Sequence, residues 1–551
     1  MSPKSFNSWL TSLQSSPAAE QAYLVLLAIQ AINQEKKLSK QQKSLLLASI
    51  YNAMVTFLPE LNLSPINSPF PLAKKKQLYA QYCVSIYAEL ANGFASCLSE
   101  TSNLSTVQTL FFGLQSLISA YIHIAEVYQQ VYPNFWKLSY FFYALASKLE
   151  IQDTNIQQHG YHSNTVSMAF KHLLALHHCR LDQQRPRAMQ AISSCIEKHT
   201  SKMQIGKKIQ LEKASRYSGL DLNTDNSPID LSSLRPSENS SICYFSAYAA
   251  AIEITKNAVQ EASGSGVIKS INREIILQTA KNLSMSQNRQ FTRVDEQAER
   301  DGVIGFKQII DQLQSVNSLI PDTQNKKNIN QVDSRLAGGW SVPDIDLVSE
   351  GYESIDAIKM NFQQSGLLRE EQSKIKQDIQ NSLSQNIWGE SDSSPKSDSS
   401  SNPEKLIILD SSLKGYKIIF DPANTHSKVQ IGDIIGIDNK GAQEIGIVWR
   451  IKQLTDNKIQ LGIKLLALES EISYISIPGH DSTYAWAIFL PGIKALNTAD
   501  SIIINDSKFH CGEFINLHRA NAGTQSCRLN KLLHLSSAAM HIELFDSTVM
   551  Q

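Results

Sequence analysis

The sequence is short of arginine and has no excess of either charge. Arginine occurs 14 times in 551 residues, and 51 Lys and Arg residues balance 51 Asp and Glu residues to a formal net charge of zero. Proteins that coat DNA or RNA need a surplus of cations, because they displace the counterions of the phosphate backbone. The charge balance therefore argues against a nucleic-acid polymer as partner. It leaves room for a small anionic ligand, since two or three well-placed arginines suffice to bind one.

The sequence also lacks cysteine pairs, a secretory leader and a long apolar run. Its seven cysteines are scattered without a CxxC, which favours reduced thiols over a disulfide framework. The most apolar stretch, 110–125, contains Gln115 and His123 and is shorter than the roughly 20 residues that a spanning helix needs. The segment MSPKSFNSWLTSL has no apolar h-region. We therefore expect a cytoplasmic protein without a membrane span.

Signatures of catalysis and of metal binding are absent as well. The sequence contains no Walker GxxxxGK[ST] loop, no GxSxG elbow and no HExxH helix. His177, His178 and Cys179 are adjacent, so their side chains point in different directions around a helix and do not suit one zinc ion. We expect no catalytic residue, no metal and no cofactor.

The first part of the chain has the apolar period of amphipathic helices. Apolar residues recur at i, i+3 and i+4 up to about residue 205, which is typical of helices that pack on one another. We predict an N-terminal α-helical bundle as a domain over 1–217. Its helices are predicted at 21–31, 43–57, 78–98, 107–128, 135–149, 166–181 and 188–199.

Two segments with few apolar residues divide the rest of the chain. Residues 218–241 are polar and rich in turn formers, and we interpret them as a linker that precedes helices at 245–262 and 268–283, the whole forming a region 218–285. Residues 314–404 are rich in Asn, Gln, Ser and Asp, which predicts a low-complexity insertion. Within that insertion we expect disorder over 391–404, loop over 317–390, and one helix at about 355–380.

The C-terminal part changes to the pattern of strands. Short β-rich runs from Lys405 onward, separated by turn signals such as SSLKG and DNKGAQ, predict a small antiparallel β-barrel over 286–470. A second β-rich block covers 471–551, and a second small barrel packed on the first is one form it could take. The predicted fold class is therefore α+β multidomain.

Two short motifs frame the start of the predicted barrel. Arg289 and Arg293 form an RxxxR after a helix, and residues 410–415 (DSSLKG) form a DxSxxG between the runs LIIL and YKIIF. Neither motif is specific alone, because an RxxxR arises by chance and a DxSxxG also suits an ordinary hairpin turn. RxxxR, then DxSxxG, then this strand pattern resembles the PilZ domain family, within a larger protein that carries an N-terminal helical region.

The resemblance implies a receptor for the bacterial second messenger cyclic di-GMP. It assigns ligand binding to Arg289, Arg293, Asp410, Ser412 and Gly415. Guanidinium groups match a phosphate or the O6/N7 edge of guanine, Asp410 can accept from the guanine N1–H and N2–H, and Gly415 allows a tight turn. No GGDEF, EAL or HD-GYP signature accompanies the motifs. We expect a non-enzymatic effector that relays the signal to a protein partner through its helical region.

The spacing of the two motifs departs from the family pattern. Arg293 and Asp410 are 117 positions apart (410 − 293), because the insertion would lie between a first strand at about 300–306 and the DxSxxG strand. Surface loops tolerate such lengths, since closure entropy grows only logarithmically. One alternative pairs Arg289 and Arg293 with acids at 295, 296 or 299. Another is a degenerate PilZ-like scaffold that acts by protein contacts without nucleotide.

Overall fold

The structure is a computed structural model, and in the residues that it describes eight α-helices precede the sheets. The residues that it describes are 3–56, 69–98, 104–156, 162, 164–209, 211–235, 241–260, 267–284, 292–316, 403–421, 428–454, 458–478, 480–492, 498–506, 509–520, 522–535 and 539–546. The eight helices are α1 Pro3–Ser12, α2 Ala18–Gln34, α3 Lys40–Thr56, α4 Lys74–Cys97, α5 Leu104–Glu126, α6 Phe135–Lys148, α7 Val166–His178 and α8 Pro186–Lys198. Helices α2 to α8 match the predicted helices, and α1 is an addition.

Helix α5 is the centre of the helical region. It contacts α3, α4, α6, α7 and α8, and its apolar face is fully buried at Leu110, Leu114 and Leu117. Part of it, Ser105–Glu126, is long and apolar enough to cross a membrane, and 83% of its most apolar window is buried inside the protein. His123 and Glu126 form a buried pair in it, with Nδ1 and Oε2 2.8 Å apart. Such burial is typical of a core helix, and α5 is the core helix of the helical region.

The segment predicted as a linker, 218–241, contributes two strands to a small sheet, so the linker prediction was wrong for those residues. The sheet has the order β1-β4-β2-β3 and is followed by two helices. Its elements are β1 Gln204–Gly206, β2 Ser218–Asp221, β3 Ile229–Asp230 and β4 Ile242–Ser246, then α9 Tyr248–Gln260 and α10 Val267–Ser284. Strands of two to five residues carry too little alternation to be seen in a sequence. Asp225, between β2 and β3, accepts from the backbone N–H groups of Asn134 and Lys137 and so anchors the segment to the start of α6.

A closed six-stranded antiparallel barrel follows, with the order β10-β7-β6-β5-β8-β9. Its elements are β5 Val294–Ile304, α11 Phe306–Val316, β6 Glu404–Ser412, β7 Gly415–Phe420, β8 Ile434–Asn439, β9 Ala442–Gln453 and β10 Ile459–Ala467. The first strand begins earlier than predicted, and helix α11 extends three residues, 314–316, into the predicted insertion. The polar residues of β5 hide its strand pattern, whereas Ile309, Ile310 and Leu313 give α11 a buried face. The predicted loop and helix, and the disorder predicted up to residue 402, lie outside the described residues. The disorder was predicted to extend to 404, and this was wrong at its end, because β6 begins at Glu404.

The C-terminal block is a second closed six-stranded barrel. Its strands are β11 Glu471–Ile477, β12 His480–Leu490, β13 Ser501–Ile504, β14 Phe514–Arg519, β15 Gly523–Leu535 and β16 Met540–Asp546. Around the barrel they run β11-β12-β13-β16-β15-β14. Numbered one to six from its own first strand, each barrel has the circular order 1-2-3-6-5-4 with every neighbour antiparallel. The two barrels therefore share one connectivity, and the α+β multidomain fold class is confirmed.

One apolar core continues from the first barrel into the second. Helix α11 contacts β5 and β8 of the first barrel and β11 and β12 of the second. Its Ile309 is fully buried among side chains of both barrels. The buried members of this core are Val303, Ile309, Ile310, Leu313, Ile434, Ile445, Ala467, Ile472, Ile488, Leu490, Ile503 and Ala539. The helix thus bridges the two barrels.

The helical region contacts the first barrel beside β9. Phe70 and Val429 exchange two backbone hydrogen bonds of 2.8 Å, and the Gln453 N–H donates to the Tyr128 carbonyl at 2.9 Å. Arg185, just before α8, donates from Nε to the Ile431 carbonyl at 2.7 Å. The Arg185 Nη2 atom lies 3.9 Å from Asp433 Oδ1, which is farther than the atoms of the hydrogen bonds above are from each other. These backbone hydrogen bonds and the Arg185 side chain therefore help to hold the helical region to the barrel.

Replacing Ile309 by Ala should destabilise both barrels together. The side chain is fully buried in the shared core, so its loss should lower the free energy of unfolding by about 2–5 kcal/mol. Urea unfolding followed by circular dichroism measures the change. Lys307→Ala, at an exposed position of the same helix, is the control and should change it by less than about 0.5 kcal/mol. An Ile309→Ala effect as small as the control's would contradict the bridging role of α11.

Asp433 should make the stability of the protein fall as pH rises. Burial raises the pKa of Asp433 from 3.8 to about 6, against the opposing effect of Arg185. Since the folded state then holds the proton more tightly than the unfolded chain, stability is lost as pH increases from about 4 to about 6. The loss should be about 2–3 kcal/mol. Urea unfolding at several pH values should show this slope in the wild type, and Asp433→Asn should lack that part of it.

Glu469→Gln is the control for this experiment, because Glu469 is an exposed carboxylate on the turn after β10. Its pH profile should follow that of the wild type. If Asp433→Asn keeps the wild-type slope between pH 4 and pH 6, the burial of Asp433 against the helical region has no energetic consequence.

Candidate ligand-binding site

The pairing of β5 with β6 brings the two sequence motifs together. Asp295 lies opposite Asp410 in this ladder, which places Arg293 beside the end of β6. The Arg293 Nη1 group donates to Asp410 Oδ1 at 2.6 Å, and Lys417 Nζ lies 3.8 Å from the other carboxylate oxygen. The Asp410 side chain is only 11% exposed, whereas the Arg293 side chain is 39% exposed. The arginine is therefore positioned by a buried carboxylate and still open to a ligand.

Two of the three acids that follow Arg293 in the sequence, Glu296 and Glu299, have other partners. Glu296 pairs with Arg300 at 2.5 Å, and Glu299 lies 3.6 Å from Lys405 Nζ. Within the described part of the chain, Arg293 pairs with Asp410 across 117 positions, and the local alternative at 295, 296 or 299 is not formed. Arg289 lies outside the described residues.

The DxSxxG forms a tight hairpin between β6 and β7. Ser412 Oγ donates to the Gly415 carbonyl at 3.2 Å, and the Leu465 N–H donates to the Lys414 carbonyl at 2.9 Å. A Cβ at position 415 would collide with the carbonyl oxygen of Ile463 on β10. Glycine is therefore required for the hairpin to lie against β10. Arg293, Asp410, Ser412 and Gly415 lie together at one end of the barrel.

The outer face of the first barrel next to this hairpin is cationic. The sequence analysis did not predict this feature. Lys417 alternates with buried Tyr416 and Ile418 and therefore points outward. On β9, Arg450 and Lys452 point to the same face. Burial, and then the neighbouring cations Arg450 and Lys417, lower the pKa of Lys452. Positive charge is concentrated here although the chain is neutral.

The cations of this face become neighbours only through the register of the strands that carry them. Lys417 lies opposite Gly462 on β10, and Gly462 lies opposite Arg450 on β9. The alternation in YKIIF and WRIKQ shows that these cations point outward from their strands. The pairing of β7, β10 and β9, which the sequence pattern does not give, makes them neighbours.

Two family models match the chain over most of its length. One is described as the N-terminal domain of the cyclic-di-GMP receptor FimW and matches residues 4–209. The other is described as the middle PilZ domain of the same receptor and matches residues 220–471. The chain belongs to the FimW family of cyclic-di-GMP receptors. The resemblance to PilZ domains is therefore confirmed. No curated protein and no solved structure matches the chain.

The FimW-family middle domain of this chain also has a polar network inside the barrel end, below the hairpin. Arg300 of β5 donates to Glu296 at 2.5 Å and to the Tyr416 hydroxyl at 3.2 Å. That hydroxyl donates to Glu444 Oε2 at 2.6 Å, and the Asn439 amide donates to Glu444 Oε1 at 2.7 Å. Burial, and then Glu444, raise the pKa of Tyr416 to about 12. The network links β5, β7, β8 and β9 beneath the candidate site.

Replacing Gly415 by Ala should disrupt the hairpin. The new Cβ would collide with backbone atoms of β10, so we expect a loss of about 1–3 kcal/mol in the free energy of unfolding. Gly206→Ala is the matched control, because no atom lies within 4 Å of a Cβ at that position. Thermal unfolding compares the two variants. Equal stability of the two would show that β10 does not confine the hairpin.

Proposed function

We propose that this chain binds cyclic di-GMP at the hairpin end of the first barrel, through Arg289, Arg293, Asp410, Ser412 and Gly415. The observation that carries the proposal is the Arg293–Asp410 pair, which joins the RxxxR to the DxSxxG at 2.6 Å despite the long insertion. Membership of a cyclic-di-GMP receptor family supports the same ligand. Both family descriptions name a receptor, which agrees with a non-enzymatic role.

The chemistry of the site suits a cyclic dinucleotide. The ligand carries two phosphates and two guanines, and a guanidinium fork matches either group with two hydrogen bonds. Asp410 holds Arg293 in place before binding and can accept from the N1–H and N2–H edge of a guanine. The cations Lys417, Arg450 and Lys452 add attraction for the phosphates. A local cationic face on a neutral chain favours a small dianion over a polymer.

We further propose that the helical region passes the signal to a protein partner. It is attached to the same barrel through Arg185, Tyr128 and Phe70, so a change at the barrel surface reaches it directly. Ligand binding would shift the population of its orientations, because the ligand favours the state that it contacts best. A bacterial cytoplasm is the compartment in which such a receptor would meet the second messenger.

Calorimetric titration of the full chain with cyclic di-GMP tests the ligand assignment. Arg293→Ala, Arg289→Ala and Asp410→Ala should each weaken binding about 5- to 150-fold, which corresponds to about 1–3 kcal/mol. Arg528→Ala removes an arginine from the second barrel and should leave the affinity unchanged. Absence of heat with the wild type would overturn the proposal and favour a PilZ-like scaffold that acts without nucleotide.

A further inference from the structure

A row of outward-facing positions runs from the hairpin to the helical region. Asp410 lies opposite Lys417, Lys417 opposite Gly462, and Gly462 opposite Arg450. Neighbouring strands are about 4.8 Å apart, so the row spans about 14 Å from β6 to β9. Gly462 has no side chain, and the Arg450 Cβ lies next to the space that a Cβ at position 462 would take. The row is therefore a shallow, positively charged strip with Arg450 at its far end.

Arg450 has a partner outside the barrel. Its Nε group donates to Oδ2 of Asp182, which lies between α7 and α8, at a distance of 2.5 Å. The side chains are 46% exposed for Arg450 and 32% exposed for Asp182, so the pair is accessible to solvent and to a ligand. The Asp182 carboxylate also raises the pKa of Lys452, which opposes the effect of Arg450 and Lys417. One anion of the helical region therefore shares the electrostatic environment of the strip.

We propose that Arg450 is shared between the nucleotide and Asp182, so that ligand binding on the strip weakens the Asp182–Arg450 pair and loosens this contact of the helical region. The proposal rests on cyclic di-GMP binding at the hairpin end. A phosphate over Gly462 would bring a second anion to the same guanidinium, and the two anions repel each other. Ligand binding at the site then changes the contact between Asp182 and the barrel, and through it the helical region.

The other contacts confine the change to a short segment. Phe70 stays paired with Val429, and Arg185 stays bonded to the Ile431 carbonyl, because neither lies on the strip. The part that is released is the single turn after α7, Leu181–Gln183, in which the Gln184 N–H donates to the Leu181 carbonyl. We therefore expect a local opening at this turn, with the helical region still attached.

Asp182→Asn separates this proposal from the ligand assignment. Calorimetric titration of the full chain with cyclic di-GMP should show a three- to tenfold gain in affinity, because an anion that competes for Arg450 is lost. By reciprocity, the same factor is the extent to which the nucleotide weakens the contact. In an Arg450→Gln background, where there is nothing to compete for, Asp182→Asn should change the affinity by less than twofold. Glu253→Gln removes the acid of a comparable exposed pair, with Lys202, and should have no effect.

Hydrogen exchange gives a second readout that does not depend on a variant. Saturating cyclic di-GMP should speed exchange at the amides of 182–184 and leave those of Phe70 and Val429 unchanged. If the wild type binds and Asp182→Asn has wild-type affinity, or if exchange at 182–184 slows, the sharing of Arg450 is overturned while the ligand assignment stands. If the wild type does not bind, the ligand assignment and this proposal are both overturned.

Discussion

The double pairing of β5 is the constraint on which the site depends. This strand hydrogen-bonds to β6 on one side and to β8 on the other, and it closes the barrel across a gap of about a hundred residues in the sequence. Because the register is fixed on both sides, Arg293 has to meet Asp410 whatever the intervening chain does. The insertion leaves from α11, at the opposite end of β5, and so does not interrupt the motif pair.

Electrostatics at the site is local and does not follow from the composition. The chain is neutral, yet Arg293, Lys417, Arg450 and Lys452 gather near one hairpin with the carboxylate of Asp410 among them. That carboxylate is buried, which favours its pairing with Arg293 over solvation by water. An anionic ligand therefore finds a guanidinium already oriented, with less side-chain entropy to lose on binding.

The sequence predicts the elements better than it predicts the surfaces between them. The period of three to four residues shows α2 to α8, and apolar runs show β6 to β10, because each pattern comes from one buried face. The small sheet and the polar strand β5 lie beyond that signal, because their strands are too short or too polar to show it. Helix α11 does carry the helical period, at Ile309, Ile310 and Leu313, although it was not predicted. The motif order identifies Arg293 and Asp410 as neighbours, whereas Lys417, Gly462 and Arg450 become a row only through the register of three strands. The ligand roles of the five motif residues stay predictions.

The shared core also restricts how the second barrel can diverge. The sequences of two barrels with the same connectivity would ordinarily be free to diverge. This holds most of all for the barrel without a ligand motif. Here Ile472, Ile488 and Ile503 of the second barrel pack in the same cluster as Ile434 and Ile445 of the first. A substitution at one of these three positions of the second barrel therefore alters the packing of the first barrel. The side chains that either barrel can accept at these positions are therefore limited by the packing of the other barrel.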